Sequence, residues 1–193
     1  MHVGSEIEKL PHWARVAFAA HCARACIPLF RGAWPNALPR RLEALQIATQ
    51  LAEDSAARAT AAHGLKDAFT EAIMAAGVAL YPTLGFPISE PVPSNKNECL
   101  IASSSAKASE WAAKAAYNGP SESSRATVEA FDFCRQAAEA AGAKRIVAEL
   151  RLDFTGLCRV AAQGEWDDTT SVSPSIFVMI TEVGMAKPWW RFW

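Results

Sequence analysis

The chain carries no strong charge of either sign: 19 Lys and Arg stand against 20 Asp and Glu, a formal net charge of −1 at pH 7. No overall field draws it onto a polyphosphate backbone or an anionic lipid surface, so no nucleic-acid partner is expected. Long apolar runs are missing too. Hydrophobic residues make up 51% of the chain, but the 20% that are charged are spread through every long segment. No stretch of about 18 uninterrupted apolar residues is present to cross a bilayer, and no membrane partner is expected. Nor is there a glycine-rich phosphate loop, a His-Glu-x-x-His helix, a Cys-x-x-Cys pair or a Gly-x-Ser-x-Gly turn. These absences remove the commonest signatures of nucleotide, zinc and serine-hydrolase chemistry. No catalytic residue, cofactor or metal is assigned from the sequence.

Cysteine is sparse and odd in number. Four of Cys22, Cys26, Cys99, Cys134 and Cys158 fall inside alanine-rich helical patterns, where the thiol serves as a small apolar side chain. Reduced thiols, and an N-terminus with acids and no apolar signal core, lead to a cytoplasmic expectation. His21, Cys22 and Cys26 are the nearest approach to a metal cluster. A zinc ion would need further ligands from His12, His63 or Cys99 in unrelated segments, so buried thiols are the simpler reading. Cys99 is the one thiol near a helix start, where a lowered pKa would make it a nucleophile; packing beneath a proline-rich loop is the plainer alternative. Glu53, Asp54 and Glu139 read as a solvated face beside Arg58, Lys144 and Arg145 rather than as an acid–base pair.

What the chain has in quantity is alanine, with apolar residues recurring at three and four, the helical period. The expectation is an all-α protein of about six helices. At 193 residues the chain is long enough for one domain that buries roughly 70% of its unfolded surface. A first helix runs from Pro11 or Trp13 to Phe30, with Pro28 kinking or stopping it. A second follows Pro39, and a third runs from about Ala56 to Leu80, with Gly64 able to split it. The segment from Tyr81 to Asn97 holds four prolines and reads as a linker or long loop. Three more helical patterns follow: Glu98 to Tyr117, Ser124 to Ala141, and Ala143 to about Gln163, ended by Asn118-Gly119-Pro120, Gly142 and Gly164.

Sliding the chain by 86 positions sets Glu43-Ala44-Leu45-Gln46-Ile47 on Glu129-Ala130-Phe131-Asp132-Phe133, and Gln50-Leu51-Ala52-Glu53 on Gln136-Ala137-Ala138-Glu139. The pattern suits two three-helix halves, residues 1–85 and 98–164, stacked over a shared core; coincidental matching of an alanine-rich chain is the competing explanation. Residues 165–193 lose the helical period and read as an irregular tail that must pack on something.

Within Leu150-Arg151-Leu152-Asp153-Phe154, Arg151 and Asp153 are two apart and point away from each other on a helix, so only one can serve a given partner. Asp167-Asp168-Thr169-Thr170 reads as a turn whose carboxylates cap backbone amides. Of the seven tryptophans, Trp13, Trp34, Trp111 and Trp166 suit the locking of segment ends onto a helical body. Trp189, Trp190 and Trp193 are either sequestered or anchors for a partner. The candidate partner-binding set is therefore Arg151, Asp153, Asp167, Asp168, Trp189, Trp190 and Trp193.

The run Leu10-Pro11-His12-Trp13-Ala14-Arg15-Val16-Ala17-Phe18-Ala19-Ala20-His21-Cys22-Ala23-Arg24, then Pro28-Leu29-Phe30 and Trp34-Pro35, resembles the opening of a group of bacterial all-helical proteins. Arg151-Leu152-Asp153-Phe154 and Trp166-Asp167-Asp168-Thr169, ahead of a Trp-rich tail, resemble its later part. Some of that group look like immunity proteins of polymorphic toxin systems. The resemblance implies a protein that binds and blocks a cognate toxin or effector by direct contact. The alternatives are a hydrolase or transferase with a cleft between the helical halves, and a structural subunit that docks through its tail.

Overall fold

The computed structural model describes residues 3–85 and 89–185, and every regular element among them is α-helical. In chain order these are α1 (Val3–Ile7), α2 (His12–Ala33), α3 (Pro39–Arg58), α4 (Leu65–Leu84), α5 (Lys96–Tyr117), α6 (Pro120–Ala140), α7 (Lys144–Gln163) and α8 (Ile176–Met185). The six long helices are those the three-and-four spacing predicts. Several boundaries move. Pro28 does not end α2, which runs on to Ala33. Its ring lies on the exposed side of the helix, where water can compensate the hydrogen bond a proline forfeits. Pro82 is accommodated near the end of α4. The second helix continues to Arg58 and breaks at Ala59, which adopts a left-handed conformation (φ 49°).

Ile176–Met185, expected to be part of an irregular tail, forms helix α8. It is short, and its only polar residues, Thr181 and Glu182, are adjacent, so no periodic polar face was there to read. Trp189, Trp190 and Trp193 lie outside the described residues.

Helices α2 and α5 form the centre, with α3 and α6 each packed on both of them; α4 lies along α5 and α3. In chain order α2, α3 and α4 are followed by α5, α6 and α7, with Glu43 on α3 and Glu129 on α6. The halves are not separate bodies, because each of the two apolar clusters takes residues from both: one gathers Phe18, Ala52, Ala112, Cys134 and Phe154, the other Phe30, Leu45, Ala79 and Ile101. Helix α5 is buried on most of its surface, and the residues there are small: Ala102, Ser103, Ser104, Ser105, Ala106, Ala108, Ser109, Ala112 and Ala113. Small side chains let neighbouring backbones come close, which is how one helix accommodates four neighbours.

Local chemistry sets the ends. Asn95 Oδ1 accepts from Glu98 N (2.9 Å) while Glu98 Oε2 accepts from Ser94 N (2.8 Å), a reciprocal cap that starts α5. The loop before it is tied down where Arg41, 7% exposed, donates from Nε (3.2 Å) and Nη2 (2.6 Å) to Glu90. That fork holds the Glu90 carboxyl below its ordinary pKa. After α7, Gly164 leaves room for Trp166: a Cβ there would overlap the indole. Gly156 does the same for α8, since a methyl would collide with Ile180.

Candidate functional site

A groove of about 300 Å³ opens between α2, α3 and the segment that runs into α8; Ala17, His21, Arg24, Glu53, Ala56, Val172, Pro174, Phe177 and Val178 line it. The alanines come from α2 and α3 and make a floor without bulk. Val172 is held over that floor by a hydrogen bond from its amide to Ala56 O (2.8 Å). Phe177 and Val178, from the first turn of α8, form the opposite wall.

The polar groups of the groove are paired. His21 Nε2 donates to Asp153 Oδ2 (2.8 Å), reaching across 132 positions of sequence. The same imidazole lies parallel to the Phe177 ring, with centroids 3.9 Å apart and planes 7° from parallel. Arg24 grips Glu53 with Nε (2.9 Å) and Nη2 and reaches Gln50 with Nη2 (3.2 Å). A fork of this kind cancels charge and fixes both side chains. The groove therefore presents an apolar floor, an aromatic wall and a neutral rim.

The sequence-derived candidates separate in space. Asp153 points into the fold, where it orients His21, while Arg151 is exposed on another face of α7. Asp167 and Asp168 sit at the far end of α2. Asp167 Oδ1 accepts from Thr169 N (2.9 Å), Thr169 Oγ1 (2.7 Å) and Thr170 Oγ1 (3.1 Å). The Thr169 hydroxyl and amide bonds hold its carboxyl below the ordinary pKa. Asp168 accepts from the amide of His12, supplying from across the fold the cap that Pro11 does not give α2. Arg15 approaches Asp168 at 3.9 Å and donates from Nη1 to Ser124 Oγ (2.7 Å), while His12 Nδ1 meets Ser123 Oγ at 3.0 Å. His12 and His21 are nine residues apart, about 14 Å along the helix. The Asp168 cluster and the groove are thus distinct places.

Four of the five thiols are buried, Cys158 is half-buried, and none is in a disulfide. Cys22, Cys26 and Cys134 are fully buried, and burial, with the neighbouring Cys134, drives the pKa of Cys22 and Cys26 well up. Cys99 does lie in the first turn of α5, but it is 1% exposed, and burial and then Glu98 push its thiol up rather than down. Among the described residues no group of three or more His, Cys, Asp or Glu is placed to hold a metal ion. No described helix is long and apolar enough to cross a membrane.

Three of the residues that build the groove, His21, Arg24 and Phe177, were not singled out for it by sequence reading. In the sequence His21 stands out only beside Cys22, and its pairing with Asp153 carries no local signal. The sequence places Glu53 in a solvated set, but its carboxylate, 12% exposed, is held by Arg24 from another helix. Asp54 and Glu139 do pair locally, with Arg58 and Arg135. Compared with known proteins, the chain matches no family model, no curated protein and no solved structure.

Proposed function

We propose that this protein works by binding a protein partner through the groove and the exposed side of α8, as an inhibitor of a toxin or effector in a bacterial conflict system. The observation that carries the reading is the groove itself: an apolar floor and wall beside Val178 and Met179, exposed at 61% and 51%, with its charges already cross-paired. Such a surface gains by being covered and asks no proton transfer of its side chains. The resemblance to immunity proteins supports the conflict-system role and a cytoplasmic setting. Trp189, Trp190 and Trp193 are of the residue type that most often anchors an interface, and Arg151 is exposed on a separate face of α7.

One feature favours a second reading. A histidine oriented by a carboxylate, as His21 is by Asp153, is half of a general-base arrangement, which a hydrolase or transferase would use.

Coexpression with the toxin encoded by a neighbouring gene separates the two. Under the binding reading growth is restored, and in every variant protection tracks complex formation: Cys99→Ser and Glu139→Ala keep both, and Val178→Asp weakens both. If His21→Gln abolishes protection while the folded protein still forms the complex, catalysis replaces binding as the account.

A further inference from the structure

We propose that the outer face of the second half of α4 pairs with the same face of a second copy of this chain, a contact that goes beyond the binding reading above and does not depend on it. From Ala72 to Gly85 the chain holds no Asp, Glu, Lys or Arg. Helix α4 buries Ala72, Ala75, Ala76, Val78 and Ala79, and the helical period turns the rest of that stretch outward. Ile73, Met74 and Leu84 are exposed at 38%, 45% and 62%. Gly77 lies between them on the same face, and a Cβ there would meet only the Tyr81 hydroxyl, at 4.0 Å, so another backbone can come close. These positions make one connected apolar strip rather than scattered single residues.

Charge selects the occupant. In a two-fold contact each copy offers the other the same patch, so a charge near the axis meets its own kind. The outer sides of α3, α6 and α7 carry such charges, among them Glu43, Arg125 and Arg159; the second half of α4 carries none. A charged partner would find no counterion there, and a second copy needs none. With two α4 helices antiparallel and crossing at Gly77, Met74 faces Leu80 of the second copy, and the two Glu71 side chains stay about 18 Å apart along the helix. Three exposed side chains and their surroundings cover well under the roughly 800 Å² per partner of a standard interface. The pairing is therefore weak, with a dissociation constant on the order of tens of micromolar. Helix α4 contributes nothing to the groove, so each copy keeps its own.

The test is sedimentation equilibrium of the full chain from about 5 to about 500 µM, a range that brackets the expected constant. A monomer-dimer equilibrium is expected. Met74→Glu sets two carboxylates into the contact and should weaken it by about tenfold or more. Ile73→Lys should do the same with the opposite charge, while Leu152→Glu, at an exposed apolar position on α7, should leave the equilibrium unchanged. Circular dichroism of the dilute variants should match the native chain, since all three positions are exposed. A chain that stays monomeric throughout, or a dimer that survives both Met74→Glu and Ile73→Lys, overturns the proposal. So does a monomer that pairs only after residues 186–193 are removed, because the chain's own end would then be the occupant of the face.

Discussion

Helices α4 and α7 each come third in a run of three long helices, and they are packed by opposite means. Helix α4 buries Ala68, Ala72, Ala75, Ala76 and Ala79, and lies closely along α5. Helix α7 buries Val147, Leu150, Phe154 and Leu157, and reaches α2 through rings, with Phe154 4.9 Å from Phe18. Alanine contacts bring backbones together; leucine and phenylalanine hold them apart while filling the gap. The close-packed sector of α3, α4 and α5 is a rigid base. The groove opens at the edge of that base, between α2, α3 and the segment into α8, which itself fits over Gly156 of α7.

Four changes break or sharpen this contrast. Phe154→Ala should be the most damaging, about 3–5 kcal/mol, because a fully buried ring is the prop itself and α7 cannot collapse into its volume; urea unfolding would measure it. In the alanine sector the sensitivity reverses. Ala112→Leu, at a fully buried site on α5, should cost about 1–3 kcal/mol by forcing helices apart, and an unchanged unfolding midpoint would show that the sector is not close-packed. Asp168→Ala removes the cap on α2 and should cost about 1 kcal/mol, with faster amide exchange confined to the first turn of that helix.

The smallest expected effect is a pH dependence. Burial first, and Arg15 second, lower the pKa of His12 from its ordinary 6.5, against an opposing pull from Asp168. The folded form therefore resists a proton that the unfolded chain accepts. Stability is full above pH 6.5 and declines as pH falls from there toward the lowered value. Glu90, whose carboxyl is lowered from 4.5, gives a separate loss only below that pH. Melting temperatures between pH 7.5 and 5.5 should fall for the native chain, and the slope should flatten in His12→Gln; an unaltered slope would assign the dependence elsewhere.

Most of the fold was legible because it is written in local terms. Asn118-Gly119-Pro120, Gly142 and Gly164 stop helices through backbone chemistry that needs no partner, and the three-and-four spacing of Leu42, Leu45, Ala48 and Ala52 marks a face wherever that face ends up. The turn at Asp167 was legible for the same reason, as its bonds reach only two and three residues ahead. Pro28 was misleading because the cost of a proline depends on whether its face meets solvent. The site was hidden almost entirely. His21 and Asp153 are separated by 132 positions, His12 and Asp168 by 156, and Arg24 and Glu53 by 29.

The sequence by itself determined an all-helical chain, its six long helices and the placing of most of its cysteines as small apolar side chains inside them, since propensity, period and breakers act over a few residues. Which polar groups meet was decided only by tertiary structure, through the angle at which α7 and the segment before α8 lie across α2. Ion pairs and ring stacks require side chains within a few ångströms of one another, and distance along the chain says nothing about that until the helices are packed.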